Sequence, residues 1–126
     1  MVPRPSAIGL WICEQVIVDA QTNNPSLISI DTGRRYPGFP TEAIPFSVFC
    51  SLTDTAGSGR MRLDVEQLAT GRAIYSRSAP IEFPQRFAVV NVSHRIQDLR
   101  FPEPGTYMFE LFVDDESVAR RRLRVY

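Results

Sequence analysis

The sequence contains no lysine; all fourteen basic residues are arginine. Schiff-base chemistry and the phosphate-binding lysine of a P-loop are therefore excluded. G+C-rich codon usage is the plain reading of this bias, although arginine's planar fork also suits bidentate pairing. Cysteine is scarce too. Cys13 and Cys50 make neither a disulfide framework nor a CxxC metal site, and a reducing cytoplasm is the expected compartment. His94 is the single histidine, and no GxSxG elbow accompanies it, so a catalytic triad has little to draw on. No apolar run approaches the ~18 residues of a membrane span. "AIGLWIC" (7–13) ends at Glu14 with no small-x-small cleavage site, and Ile12 precedes Cys13 where a lipoprotein signal needs a small residue. No membrane partner and no cofactor are expected. Fourteen acidic residues cancel the fourteen arginines, so no whole-molecule field draws the chain to nucleic acid, which is not expected as a partner.

Alternation of period two runs through most of the 126 residues. Ile44, Phe46, Val48, Cys50 and Leu52 fall on one side of "IPFSVFCSL"; Met61, Leu63 and Val65 on one side of "RMRLDVEQL"; Tyr107, Phe109, Leu111 and Val113 on one side of "TYMFELFV". Strands with one wet face read this way, and no window of helical period exceeds two turns. Turn-forming clusters then divide the chain into strands at 8–19, 26–31, 43–53, 60–68, 72–78, 86–93, 106–113 and 117–125. "SHRIQDL" (93–99) is expected to form one helical turn capped by Ser93. Pro80 and Pro84 suit a sheet edge, where a missing N–H does no harm.

"DLRFPEPGTYMFEL" (98–111) has an apolar pair, a Pro/Gly turn and a tyrosine two residues beyond the glycine. This is the layout of the tyrosine corner of immunoglobulin-like sandwiches, in which the hydroxyl bonds back to upstream backbone, and Tyr107 is assigned that role. The antibody hallmarks are otherwise missing: strand 106–113 has no cysteine, and Trp11 is on the first strand. The fold expected is one all-β, antiparallel, immunoglobulin-like β-sandwich of seven to nine strands. The pieces "ICEQVIVDAQTNNPSLISI", "YPGFPTEAIPFSVFCSLTD", "LRFPEPGTYMFELFVDD" and the closing "LRV" resemble a family of small uncharacterised bacterial β-sandwich domains. The resemblance implies a stand-alone sandwich, without an established activity or a transferable catalytic residue.

"SVARRRLRVY" (117–126) raises the question of whether its arginines grip an anion or face water. Core residues on the last two strands are odd-numbered, so an odd-length loop, Asp114-Asp115-Glu116, is expected to join them. Glu110 then opposes Arg120, Met108 opposes Arg122 and Thr106 opposes Arg124. Arg120, Arg122 and Arg124 form an outward stripe, while Arg121 turns inward and snorkels or meets a carboxylate. Phe112 and Met108 share the outward face, and exposed Phe, Met and Arg suit a protein interface. A second candidate is "GRRYPGFP" (33–40). Arg34, Arg35, Tyr36 and Phe39 there are read either as recognition residues for an acidic or proline-rich partner, or as a crossover with Tyr36 and Phe39 plugging the sandwich end. "DDE" (114–116) and "TAGSGR" (55–60) read as turns. The function expected is a non-enzymatic interaction module, acting on a protein partner or its own copy. The alternatives are a hydrolase or metal-dependent enzyme built from His94, Cys13, Cys50 and loop acids, and a carbohydrate-binding sandwich using Trp11 and Tyr36.

Overall fold

In the computed structural model, which describes residues 2–126, nine strands form two sheets. They are β1 (Ser6–Val18), β2 (Pro25–Ile30), β3 (Gly33–Arg34), β4 (Phe46–Thr53), β5 (Gly57–Gln67), β6 (Arg72–Phe83), β7 (Val90–Ile96), β8 (Gly105–Val113) and β9 (Glu116–Val125). The four-stranded sheet has the order β2-β1-β4-β7, and the five-stranded sheet the order β3-β9-β8-β5-β6. All pairings are antiparallel except β3 with β9, which is parallel. The alternation explains the two layers. Leu10, Ile12, Phe46, Val48, Cys50, Leu52 and Ile96 of the first sheet are buried with Leu63, Val65, Phe109, Leu111, Val113, Leu123 and Val125 of the second. Phe46 meets Phe109 edge-on at 6.0 Å between ring centroids, which places the core between the sheets.

The segment expected to hold a helical turn, 93–99, is strand as far as Ile96. Val92 and Ile96 are buried while Asn91, Ser93 and Arg95 are exposed, and β7 pairs with β4 from Phe46↔Ile96 to Leu52↔Val90. Ser93 therefore caps nothing. Its backbone is part of the ladder, and the strand begins at 90 rather than 86 because "FPQRFA" (83–88) closes as a turn. Pro80 lies on β6, an edge strand of the second sheet, so its missing N–H interrupts no inner ladder.

The last hairpin keeps the expected register by a different route. Thr106 faces Arg124, Met108 faces Arg122 and Glu110 faces Arg120. The loop, however, has two residues and not three: Val113 pairs with Glu116 across Asp114 and Asp115, whose φ values are 48° and 66°. Two positive φ values make the turn whose twist suits a two-residue hairpin. Even parity is restored by a bulge at Val118, where the register shifts between Leu111 and Phe112. The turn also anchors the chain's start. Asp114 accepts hydrogen bonds from the Val2 N–H (2.8 Å) and the Arg60 N–H (3.0 Å), which lower its carboxyl pKa.

Tyr107 is fully buried, and its hydroxyl donates to the Glu103 carbonyl at 2.6 Å while its ring meets Phe101 edge-on at 4.8 Å. The corner bond expected from "FPEPGTY" is thus present. Tyr107→Phe keeps the ring and removes this bond, leaving a carbonyl short of a donor. It should lower unfolding free energy by about 1 kcal/mol, seen as a lower urea midpoint at unchanged slope. An unchanged midpoint would show that the corner bond contributes nothing.

Candidate functional site

The 33–40 segment is held down from within. β3 adds to the second sheet, with Gly33 beside Arg124 and Arg34 beside Val125, and this directs the Arg34 side chain inward. There its guanidinium bonds Asp31 at 2.7 Å and Glu14 at 3.0 Å, its Nε donates to the Tyr36 hydroxyl at 3.0 Å, and its plane lies 4.6 Å from the Phe46 ring centre. Burial works against the charge, but the bonds to Tyr36 and Asp31 outweigh it and hold the Arg34 pKa above its ordinary value. Burial pushes the Asp31 carboxyl up despite the neighbouring guanidinium. Arg34 and Tyr36 are therefore buried and satisfied inside the chain, at 8% and 7% exposure, and do not project as recognition residues. Phe39 packs against the core, 6.4 Å from Tyr36, so the plug reading of this segment is the one seen. Outside it lies an open cleft of about 450 Å³, lined by Tyr36, Pro37, Phe39, Pro40, Glu42 and Ile44.

Arg35 is the exception, and it joins the second candidate. The Tyr126 N–H donates to the Arg34 carbonyl and the Tyr36 N–H to the Tyr126 carbonyl, at 3.0 and 2.8 Å, which sets Arg35 beside Tyr126. Arg34 points in, so Arg35 points out, onto the face that carries Arg120, Arg122 and Arg124. All four arginines are exposed, and among the described residues none of them makes an ion pair. Successive outward positions on β9 are about 7 Å apart. Arg124 lies 5.5 Å from the Tyr126 ring centre, and Tyr126 is half exposed. Glu110 lies opposite Arg120, yet it accepts from the Ser117 hydroxyl at 2.5 Å and pairs with no arginine. Sequence reasoning treated Arg35 and the β9 stripe as separate candidates. The two-residue parallel bridge that joins them carries no periodicity signal.

The remaining outward candidates are covered. Phe112 is half-buried beneath Arg62, whose guanidinium lies 4.3 Å from the ring centre and pairs with Asp64 and Asp115. Met108 is also half-buried, next to Glu66 and Arg122 on the neighbouring strands. Arg121 takes neither route expected of it. It reaches the first sheet, donating to the Leu10 carbonyl at 3.4 Å and lying 4.5 Å from the Trp11 ring centre. Trp11 is thus capped on one side and folds over Gly9, whose φ of 88° and lack of a Cβ make room for the indole.

His94 and Cys50 line the same interior void, which has a volume of about 10 Å³, room for no more than a water. His94 and the Tyr75 hydroxyl share a 2.7 Å hydrogen bond. Burial, with help from the charge on Arg77, pushes the His94 pKa below its ordinary value. Burial pushes the Cys50 thiol up to about 11, so thiolate is scarce at neutral pH. Cys13 faces the other side of the same sheet, since Leu10 and not Cys13 opposes Cys50. Among the described residues, no group of three or more His, Cys, Asp or Glu side chains is placed to hold a metal, and no helix is long and apolar enough to cross a membrane.

A family model described as a family of unknown function, DUF6941, matches residues 9–126. No curated protein matches the sequence. Among solved structures, the chain is similar to the Pseudomonas fluorescens alkylpurine DNA glycosylase AlkC bound to DNA containing an abasic site analog. The TM-score is 0.46 at 12% identity, and the likeness covers 92% of this chain and 30% of that one. This chain therefore spans less than a third of that protein. The expectation that nucleic acid is no partner, drawn from net charge, is not upheld. Net charge averages over the molecule and misses the arginines gathered on one face. A likeness of this size carries no argument that the chain itself binds DNA.

Arg34→Met should cost about 3 kcal/mol or more, since it leaves Asp31 buried without its cation. Glu14→Gln should cost less than about 1 kcal/mol, because Glu14 is half exposed. Urea unfolding checks both, and an Arg34→Met loss below that of Glu14→Gln would overturn the assignment. For His94, the folded pKa lies below the unfolded value of 6.5, so its stabilising contribution is complete above 6.5 and is lost as pH falls toward the folded value. His94→Gln should flatten the fall in urea midpoint between pH 7.5 and 5.5, and an unaltered slope would contradict this.

Proposed function

The chain belongs to DUF6941, a family of unknown function, and from there we propose that it is a non-enzymatic interaction module whose contact surface is the arginine face of β3 and β9. One observation carries the reading: Arg35, Arg120, Arg122 and Arg124 are exposed together on one face, and among the described residues none of them makes an ion pair. Outward arginines without ion-pair partners, on a strand that β3 covers only at Arg124 and Val125, offer forked donors at a regular spacing. The strip is narrow, since Glu110 and Glu66 follow one and two strands in. A single extended acidic protein segment lying along β9 fits that width. The tyrosine corner at Tyr107 supports an immunoglobulin-like reading of the sandwich. Two free, buried cysteines support a reducing compartment as the setting.

The test titrates the protein with a labelled extended polyglutamate peptide and, in parallel, with a single-stranded oligonucleotide. Peptide affinity should fall with salt, and the pair Arg120→Ala and Arg122→Ala should weaken it about tenfold or more. No preference over a neutral peptide, or no effect of the two changes, would sink the proposal. Oligonucleotide binding through the same arginines without peptide binding would replace it with a nucleic-acid site.

A further inference from the structure

The backbone of β9 is as open as its arginines. The Tyr126 N–H and C=O both bond across to the β3 side, at the Arg34 carbonyl and the Tyr36 N–H. Main-chain groups alternate sides along a strand, so those of Arg124, Arg122 and Arg120 turn the same way, and those of Leu123 and Arg121 turn to β8. The alternation holds over 119–125, because the bulge lies at Val118 and no residue in that span has a positive φ. β3 covers only Arg124 and Val125. At Arg120 and Arg122, no strand among the described residues takes up the N–H and C=O on that side. Each of these two residues therefore presents an open N–H, an open C=O and an exposed guanidinium that makes no ion pair among the described residues.

We propose that an acidic protein segment binds here as an added antiparallel strand beside β9, with its acidic residues at every second position. The proposal rests on the acidic-partner reading of this face and fixes how that partner lies. Open N–H and C=O groups on one residue fit a polypeptide, which donates and accepts in turn, and not a phosphate backbone, which only accepts. In an antiparallel pair, residues that exchange both main-chain bonds are opposed at about 5.5 Å between Cα atoms, and their side chains share a face. A residue opposed to Arg120 or Arg122 therefore holds its carboxylate on the outward side, beside the guanidinium. The residue between them turns inward, toward Arg121, whose guanidinium is engaged by the Leu10 carbonyl and the Trp11 ring. Acids one residue apart thus meet two exposed arginines, whereas adjacent acids meet one.

The test is an NMR titration of the intact protein with the capped peptide Thr-Thr-Glu-Thr-Glu-Thr-Thr, up to about 1 mM. Binding should slow hydrogen exchange at the Arg120 and Arg122 amides. N-methylation of both glutamates, whose N–H groups would enter the ladder, should weaken binding about tenfold or more. N-methylation of the central threonine, whose N–H points away from β9, should leave it unchanged. The isomer Thr-Thr-Glu-Glu-Thr-Thr-Thr has the same charge and should bind about threefold more weakly or worse. Equal binding of the two isomers, with no effect of methylated glutamates, would overturn the added strand and leave a purely electrostatic acidic contact. Polyglutamate that binds where neither peptide does would have the same meaning. Failure of polyglutamate and both peptides alike would overturn the acidic-partner reading and the strand with it.

Discussion

The buried guanidinium of Arg34 ties the two sheets together at one end of the sandwich. It stems from the second sheet, lies over Phe46 of the first, and bonds Glu14 of β1 and Asp31 of the connection leaving β2. Such a charge is costly to desolvate and stays only because its forked donors are met on several sides. Once met, it fixes where the chain goes next. β3 has two residues and no core side chain of its own beyond Arg34, so its place beside β9 rests on this clip and on the backbone bonds to Tyr126.

Alternation turns that clip into a surface. With Arg34 inward, Arg35 is outward, and the same parity on β9 turns Arg120, Arg122 and Arg124 to that side while Leu123 and Val125 close the core. The molecule thereby separates its arginines by role. Among its fourteen arginines, Arg34 is a buried structural cation, Arg121 crosses to Trp11, and Arg35, Arg120, Arg122 and Arg124 stand exposed on a common face, none of them in an ion pair among the described residues. A net charge of zero conceals this, since it says nothing of where the charges stand.

The two-layer all-β architecture and the facing of the last hairpin were legible because period-two patterning is local and burial enforces it. The corner of Tyr107 was legible because a Pro/Gly turn has a composition. What was hidden depended on pairing at a distance. Arg34 and Arg35 look alike in "GRRYPGFP", and only the parallel bridge to β9 sends one inside and the other out. The bulge at Val118 was invisible as well, because a three-residue loop and a two-residue loop with a bulge leave the same parity farther along. His94 was misplaced because its polarity broke an alternation that Val90, Val92 and Ile96 otherwise keep.

Hydrogen exchange at the bridge tests most directly whether Arg34 holds β3 against β9. In Arg34→Met, the Tyr36 and Tyr126 amides should lose protection well before the central amides of Val65 and Phe109, marking a local opening of the bridge. Tyr36 and Tyr126 amides that stay as protected, relative to those central strands, as in the unaltered chain would contradict the claim that this guanidinium positions the arginine face.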